Sequence, residues 1–260
     1  MKVAEVEVRR EWTDTSFRQP YDVFAPVYQH FFAPDAARVT WQIVNRLVLP
    51  DLAPGAHILD LCCGAGELTE CLVRHGFRVT GIDNSESMLS LARGRAPQAN
   101  FLLADVRDLP PKRDFDAVIC AYNSLPHITG DHELAAVFLG IRKCLRDGGC
   151  LLFDVYSERA YRERWSGSFV KVDDEQVCIV SASYDPQCRL GENRVTLFRK
   201  QQAGEQAWRR SDLKLVTRAY LDDELHAVLI KAGFSVISNY EGARDLGIPE
   251  GSGRMFWLCK

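Results

Sequence analysis

The chain has 260 residues, 47% hydrophobic and 26% charged, which excludes disordered, collagen-like and low-complexity classes. Lys plus Arg total 32 and Asp plus Glu 35, a net charge of −3. With no strongly basic block beyond a local patch at Arg159, Arg162 and Arg164, a nucleic-acid partner held by counterion release is not expected.

Nine cysteines, irregularly spaced and without a C-x-x-C pair, argue against a disulfide framework or a zinc site and read as mostly buried thiols. His30, His57, His75, His132 and His226 share no metal-site spacing, so no metal is expected. No apolar run reaches the ~18 residues of a membrane helix. The start, MKVAEVEVRREW, lacks the apolar stretch of a signal peptide, so a cytoplasmic protein without a membrane partner is expected.

The first ~20 residues read as polar and irregular, and Asp35–Leu49 as a helix with Ala36, Val39, Ile43 and Leu47 near helical spacing. Pro50 and Pro54-Gly55 end it. Strands are then predicted at His57–Leu61, Phe77–Ile82, Phe101–Ala104, Phe115–Ala121 and Cys150–Val155. The intervening helices are Glu67–His75, Ser85–Arg95 and Asp131–Leu145, with Gly76 and Gly148-Gly149 as stops. Such alternation implies an α/β fold with a parallel sheet covered on both faces.

After Val155 the pattern changes. A short helix, Ser157–Trp165, precedes strands Phe169–Val172, Val177–Tyr184, Asn193–Lys200 and Trp208–Thr217, separated by turns at Asp173-Asp174, Asp185-Pro186 and Ala203-Gly204. This is an antiparallel meander. Helix Asp222–Ala232 and strands Phe234–Tyr240 and Arg254–Cys259 resume the first pattern. The expected organisation is an α/β domain of residues 1–155 and 219–260 with an inserted β-lobe at 156–218.

In open α/β sheets ligands bind beyond the carboxyl ends of the strands. Asp60, Gly64 and Gly66 follow the first strand, Asp83 the second, and Ala104-Asp105-Val106 the third. Glycine lets a ligand lie against the backbone. Asp83 suits a ribose diol, Asp105 an adenine amino group, and Val106 the floor of the ring. Each has an ordinary alternative as a tight turn, helix cap or solvated acid, but three at successive strand ends point to a nucleoside. Thr69 occupies the third-glycine position of the dinucleotide fingerprint, and Asp60 would repel a pyrophosphate. Both disfavour NAD and suit the cationic, phosphate-free S-adenosylmethionine.

LDLCCGAGELT resembles motif I of class I S-adenosylmethionine-dependent methyltransferases, and GIDNSESML resembles their ribose motif. LLADVRDLP, FDAVICAYNSLPHI and LRDGGCLLFDV are similar to the remaining motifs in order. The resemblance implies a Rossmann-like seven-stranded sheet with its last strand antiparallel. It places Cys62, Asn84, Met88 and Ala121 with Asp60, Gly64, Gly66, Asp83, Asp105 and Val106 around the cofactor. PYDVFAPVYQHFF and Ser124-Leu125-Pro126-His127 are similar to segments of small-molecule N-methyltransferases of the amino-sugar and glycine types.

That likeness makes Tyr21 and Tyr28 neighbours of the methyl donor, and His127, with Tyr21, a candidate for proton removal. Gln29 replaces the usual acid after Tyr28, and Cys62-Cys63 stands where small residues are commoner. Tyr122-Asn123-Ser124 in place of the D/N-P-P-Y signature argues against nucleic-acid acceptors. The expected activity is methyl transfer to a small molecule, an amine first and a hydroxyl second, with Ser168–Arg218 roofing the acceptor and a homodimer allowed. A non-catalytic S-adenosylmethionine-binding protein and an NAD oxidoreductase are the rivals.

Overall fold

The computed structural model describes residues 19–109, 113–201 and 207–260. The expectations for the N-terminal stretch before residue 19 and for the Ala203-Gly204 turn fall outside these residues.

The first helix, α1 (Pro20–Phe31), lies outside the elements predicted from the sequence. Pro20 sits at the helix start, where the missing N–H costs nothing, and Pro26 is tolerated inside. Then follow α2 (Ala33–Leu47), β1 (His57–Leu61), α3 (Glu67–Arg74), β2 (Arg78–Asp83), α4 (Glu86–Arg95), β3 (Asn100–Leu103) and β4 (Phe115–Cys120). Next come α5 (Asp131–Cys144), β5 (Leu145–Tyr156) and α6 (Glu158–Arg164). Four strands, β6 (Gly167–Val172), β7 (Gln176–Asp185), β8 (Leu190–Lys200) and β9 (Trp208–Arg218), precede α7 (Asp222–Ala232), β10 (Ile237–Glu241) and β11 (Arg254–Cys259). Helix α5 stops at Cys144, before the expected glycine pair. Leu145 is already extended and pairs with Phe115, and Gly148, at φ 79°, turns the chain within β5.

The main sheet has the order β10-β11-β5-β4-β1-β2-β3. Its neighbours are parallel except β11, which runs antiparallel to β10 and β5. Alternation assigns the faces: Leu59 and Leu61 of β1 join the core under α5 and α7, whereas Ile58 joins the core under α2 and α3. Strand order reverses between β1 and β4, and a crevice opens at such a switch.

The second sheet is the antiparallel meander β6-β7-β8-β9. Its inner face, with Cys178, Val180, Val195, Leu197 and Leu215, packs on Phe24 and Val27 of α1. The opposite side of α1 buries Ala25 against Ala65 and Met88. Asp22 latches α1 to α4: its Oδ1 accepts from Ser85 Oγ at 2.6 Å and from the Ser87 amide at 3.1 Å. These donors lie at the start of α4, where a carboxylate is favoured. The lobe therefore reaches the main sheet in part through α1, the helix that carries Tyr21 and Tyr28.

The arginines expected to form a basic patch on α6 are engaged. Arg162 pairs with Glu158, Arg159 with Glu163, and Arg164 donates to the Ser252 carbonyl. Cys63, Cys120, Cys144, Cys150, Cys178 and Cys259 are buried, Cys62 and Cys71 are half-buried, and Cys188 is exposed.

Candidate active site

The carboxyl ends of β1, β2 and β4 open into a cavity of about 510 Å³ that α1 covers in part. Its walls bring together Tyr21, Tyr28, Asp60, Cys62, Gly64, Asp83, Asn84, Met88, Asp105, Val106, Ala121 and His127. Of the expected site residues only Gly66 is absent from the walls. It starts α3 at φ 82°, and an added Cβ would lie 2.9 Å from the Ala92 Cβ, so its role is close packing of the loop on α4. Gly64, at φ 54°, has open space where a side chain would project, a cradle for a ligand.

The loop after β1 is braced from several sides. Asp83 accepts from the Gly64 amide at 2.9 Å and from the Ser85 amide at 2.9 Å, tying the ends of β1 and β2 together. Burial nonetheless pushes its carboxyl up, opposed by those N–H groups. Each oxygen keeps a lone pair for a ribose hydroxyl. Asp83→Ala is expected to weaken S-adenosylhomocysteine binding by about 1–3 kcal/mol, read by calorimetry. Unchanged affinity would remove the ribose assignment.

Asp60 is buried at the end of β1 and accepts from Thr69 Oγ at 2.5 Å. Burial pushes its pKa up to about 7, the Thr69 hydrogen bond opposing and the Glu67 and Asp83 charges adding. A carboxyl raised in this way keeps a proton that the unfolded chain loses, so the ligand-free protein loses stability as pH rises from about 4 to 7. A cationic ligand beside Asp60 favours the ionised form and reverses the trend. Affinity for S-adenosylmethionine is therefore expected to be about tenfold higher at about pH 8 than at about pH 6, with proton release on binding at the lower pH. A flat calorimetric profile would uncouple Asp60 from the ligand.

At the cavity edge, Asp105 is held by Arg107, which donates from Nε at 2.8 Å and from Nη2 at 2.7 Å. The Arg107 guanidinium keeps the Asp105 carboxyl below its usual range. Arg107 itself lines the cavity, a residue the sequence reading did not single out.

Toward the lobe, α1 and the turn after β4 converge. Tyr21 Oη lies 3.0 Å from His127 Nε2, and His127 Nδ1 lies 3.1 Å from the Val216 carbonyl of β9. The carbonyl can only accept, so Nδ1 carries the hydrogen and Nε2 accepts from the Tyr21 hydroxyl. Burial holds His127 below its ordinary pKa, with the Val216 bond opposing, and it is neutral at pH 7. Burial and the Asp83 charge push the Tyr21 phenol far up, so it remains a donor.

A second, smaller cavity of about 170 Å³ lies on the far side of this pair. Tyr21, Tyr122, His127 and Leu215 line both cavities, so the two meet at the Tyr21–His127 contact. The smaller one is completed by Asn123, Tyr156, Trp165, Asn193, Thr217 and Arg254, from both sheets.

Residues 58–149 match the family described as methyltransferase domain. A protein of Geobacillus sp. (strain WCH70) that bears a methyltransferase name is 29% identical over 247 residues, covering 92% of this chain and 99% of its own. This methyltransferase domain and this relative support a class I S-adenosylmethionine-dependent methyltransferase. Its fold matches that of an S-adenosylmethionine-dependent methyltransferase from Clostridium acetobutylicum, with TM-score 0.77, 22% identity and coverage of 93% and 99% of the two chains. A sugar N-methyltransferase from Streptoalloteichus sp. superposes with TM-score 0.71 and 21% identity over 100% and 98%.

S-adenosylmethionine is the cofactor of this enzyme. The larger cavity fits it: Gly64 leaves a backbone cradle, Asp83 is fixed at the end of β2, and the buried Asp60 carboxyl would face a cationic ligand. When bound, the cofactor supplies a sulfonium-activated methyl group.

Proposed function

We propose that this enzyme methylates the amine nitrogen of a small molecule held in the smaller cavity, with the Tyr21–His127 pair receiving the proton. The observation that carries this reading is the shared wall: the cofactor cavity and a separate pocket meet at a phenol already hydrogen-bonded to a neutral imidazole. In-line transfer needs the nucleophile within about 3–3.5 Å of the methyl carbon and a place for one proton. As an acceptor ammonium gives a proton to Tyr21 Oη, Tyr21 gives its own to His127 Nε2, and the nitrogen is left with the lone pair that attacks. The Val216 carbonyl holds the ring in the tautomer this relay requires.

On this reading Asp60, Cys62, Gly64, Asp83, Asn84, Met88, Asp105, Val106 and Ala121 surround the cofactor, with Tyr21 and Tyr28 above it. The lobe, residues 156–218, contributes the acceptor-side wall through β8 and β9. Among the described residues no helix is long and apolar enough to cross a membrane. We take the enzyme to act in the cytoplasm on a free small molecule, not on nucleic acid. A hydroxyl acceptor is the alternative, since the same pair serves it. A screen of amines, amino acids, amino sugars and phenols for S-adenosylhomocysteine release tests the reading. Turnover confined to amines supports it, and turnover confined to phenols replaces it with O-methylation.

A further inference from the structure

Resting on that reading, we infer that the acceptor carries a small oxyanion, a carboxylate or a group of like chemistry, bound at Arg254 on the wall of the smaller cavity. Arg254 is 4% exposed. Nε donates to Asp154 at 3.0 Å, and Nη2 lies in an ion pair 2.9 Å from the same oxygen but has no hydrogen-bond partner among the described residues. The indole N–H of Trp165 on the same cavity wall is also buried without a hydrogen-bond partner among the described residues. Buried donors left unsatisfied are costly, and arginine offers its remaining N–H groups as a planar fork suited to an oxyanion.

The rest of the wall agrees in sign. Among the described residues that line it, Arg254 is the one permanent cation and there is no carboxylate. Asp154 balances the arginine charge from outside the cavity, its oxygens taken by the Tyr122 amide at 2.6 Å, the Asn123 amide at 3.0 Å and Arg254. A cationic group has no counter-charge on that wall, whereas an oxyanion meets donors already in place. At about 170 Å³ the cavity lies well below the ~300 Å³ where drug-sized sites begin, so its occupant is of amino-acid size. The nucleophile then faces Tyr21 and His127 while the oxyanion faces Arg254.

The test uses the full chain saturated with S-adenosylhomocysteine and reads the binding of propionate, inorganic phosphate and the neutral isostere propionamide by ligand-observed NMR. Propionate or phosphate is expected to bind at least tenfold more tightly than propionamide, and whichever is tighter names the oxyanion. Arg254→Lys, which keeps the charge and loses the fork, and Trp165→Phe, which keeps the ring and loses the N–H, are each expected to weaken that binding several-fold. Their affinity for S-adenosylhomocysteine should be unchanged, which also shows that they are folded. If S-adenosylhomocysteine binds but propionamide equals both anions, or if neither variant changes anion binding, the oxyanion assignment is overturned. Failure of S-adenosylhomocysteine to bind the unaltered chain would instead overturn the reading on which it rests.

Discussion

His127→Asn is expected to lower kcat by about 10² to 10⁴ while leaving S-adenosylmethionine affinity unchanged. Asparagine has similar reach and can still accept from Tyr21, but at neutral pH it cannot take a proton. In the proposed relay, the hydrogen-bond chain from Tyr21 through Nε2 to the Val216 carbonyl puts His127 at the terminus of proton removal. Because burial lowers its pKa, the acidic limb of the wild-type kcat profile should fall below the ordinary histidine value of about 6.5. A modest loss recovered at high pH, where more amine is already neutral, would reduce His127 to orienting the acceptor. Loss of cofactor affinity in step with kcat would make it a structural turn residue.

Arg254→Met is expected to destabilise the fold by about 3–5 kcal/mol, because it leaves the Asp154 carboxylate charged, buried and without its cation. Asp154 is 1% exposed and receives the amides of Tyr122 and Asn123, both with positive φ at 73° and 55°. The pair therefore holds the turn after β4 that leads to His127. The Arg254 guanidinium also lies 4.9 Å from the Tyr122 ring and 5.0 Å from that of Phe256. Adding Asp154→Asn should recover much of the loss, since the stranded charge is removed. Denaturant midpoints of the single and double variants check this, and a loss under about 1 kcal/mol for Arg254→Met would contradict it.

What the sequence made legible is what depends on local order. Alternating short apolar strands and amphipathic helices gave the sheet. The residues just past β1, β2 and β3 fell together because a parallel sheet brings its strand ends to one edge. Helix α1 was hidden by Pro20, Pro26 and Pro34, which local rules read as breaks. Its latch, Asp22 to Ser85, joins residues 63 apart, and the Val216 carbonyl reaches His127 across 89 residues. Arg254 meets Asp154 across 100. None of these pairings leaves a periodic or spacing signal, although an aspartate inside an aromatic segment and an arginine opening an apolar strand mark the places where a partner is needed. Gly66 shows the converse: its motif position was evident, but only the contact with Ala92 shows that it packs on a helix and not on the ligand.

The proposed reaction is methyl transfer to nitrogen at the junction of the two cavities. The measurement that reaches it most directly is NMR of the product formed from S-adenosylmethionine labelled with carbon-13 in the methyl group, using a nitrogen-15-labelled acceptor found by the release screen. The account requires one-bond coupling between the labelled methyl carbon and the acceptor nitrogen, with formation slowed in His127→Asn. A labelled methyl on oxygen, or tight S-adenosylmethionine binding with no label leaving it under any acceptor, would contradict it.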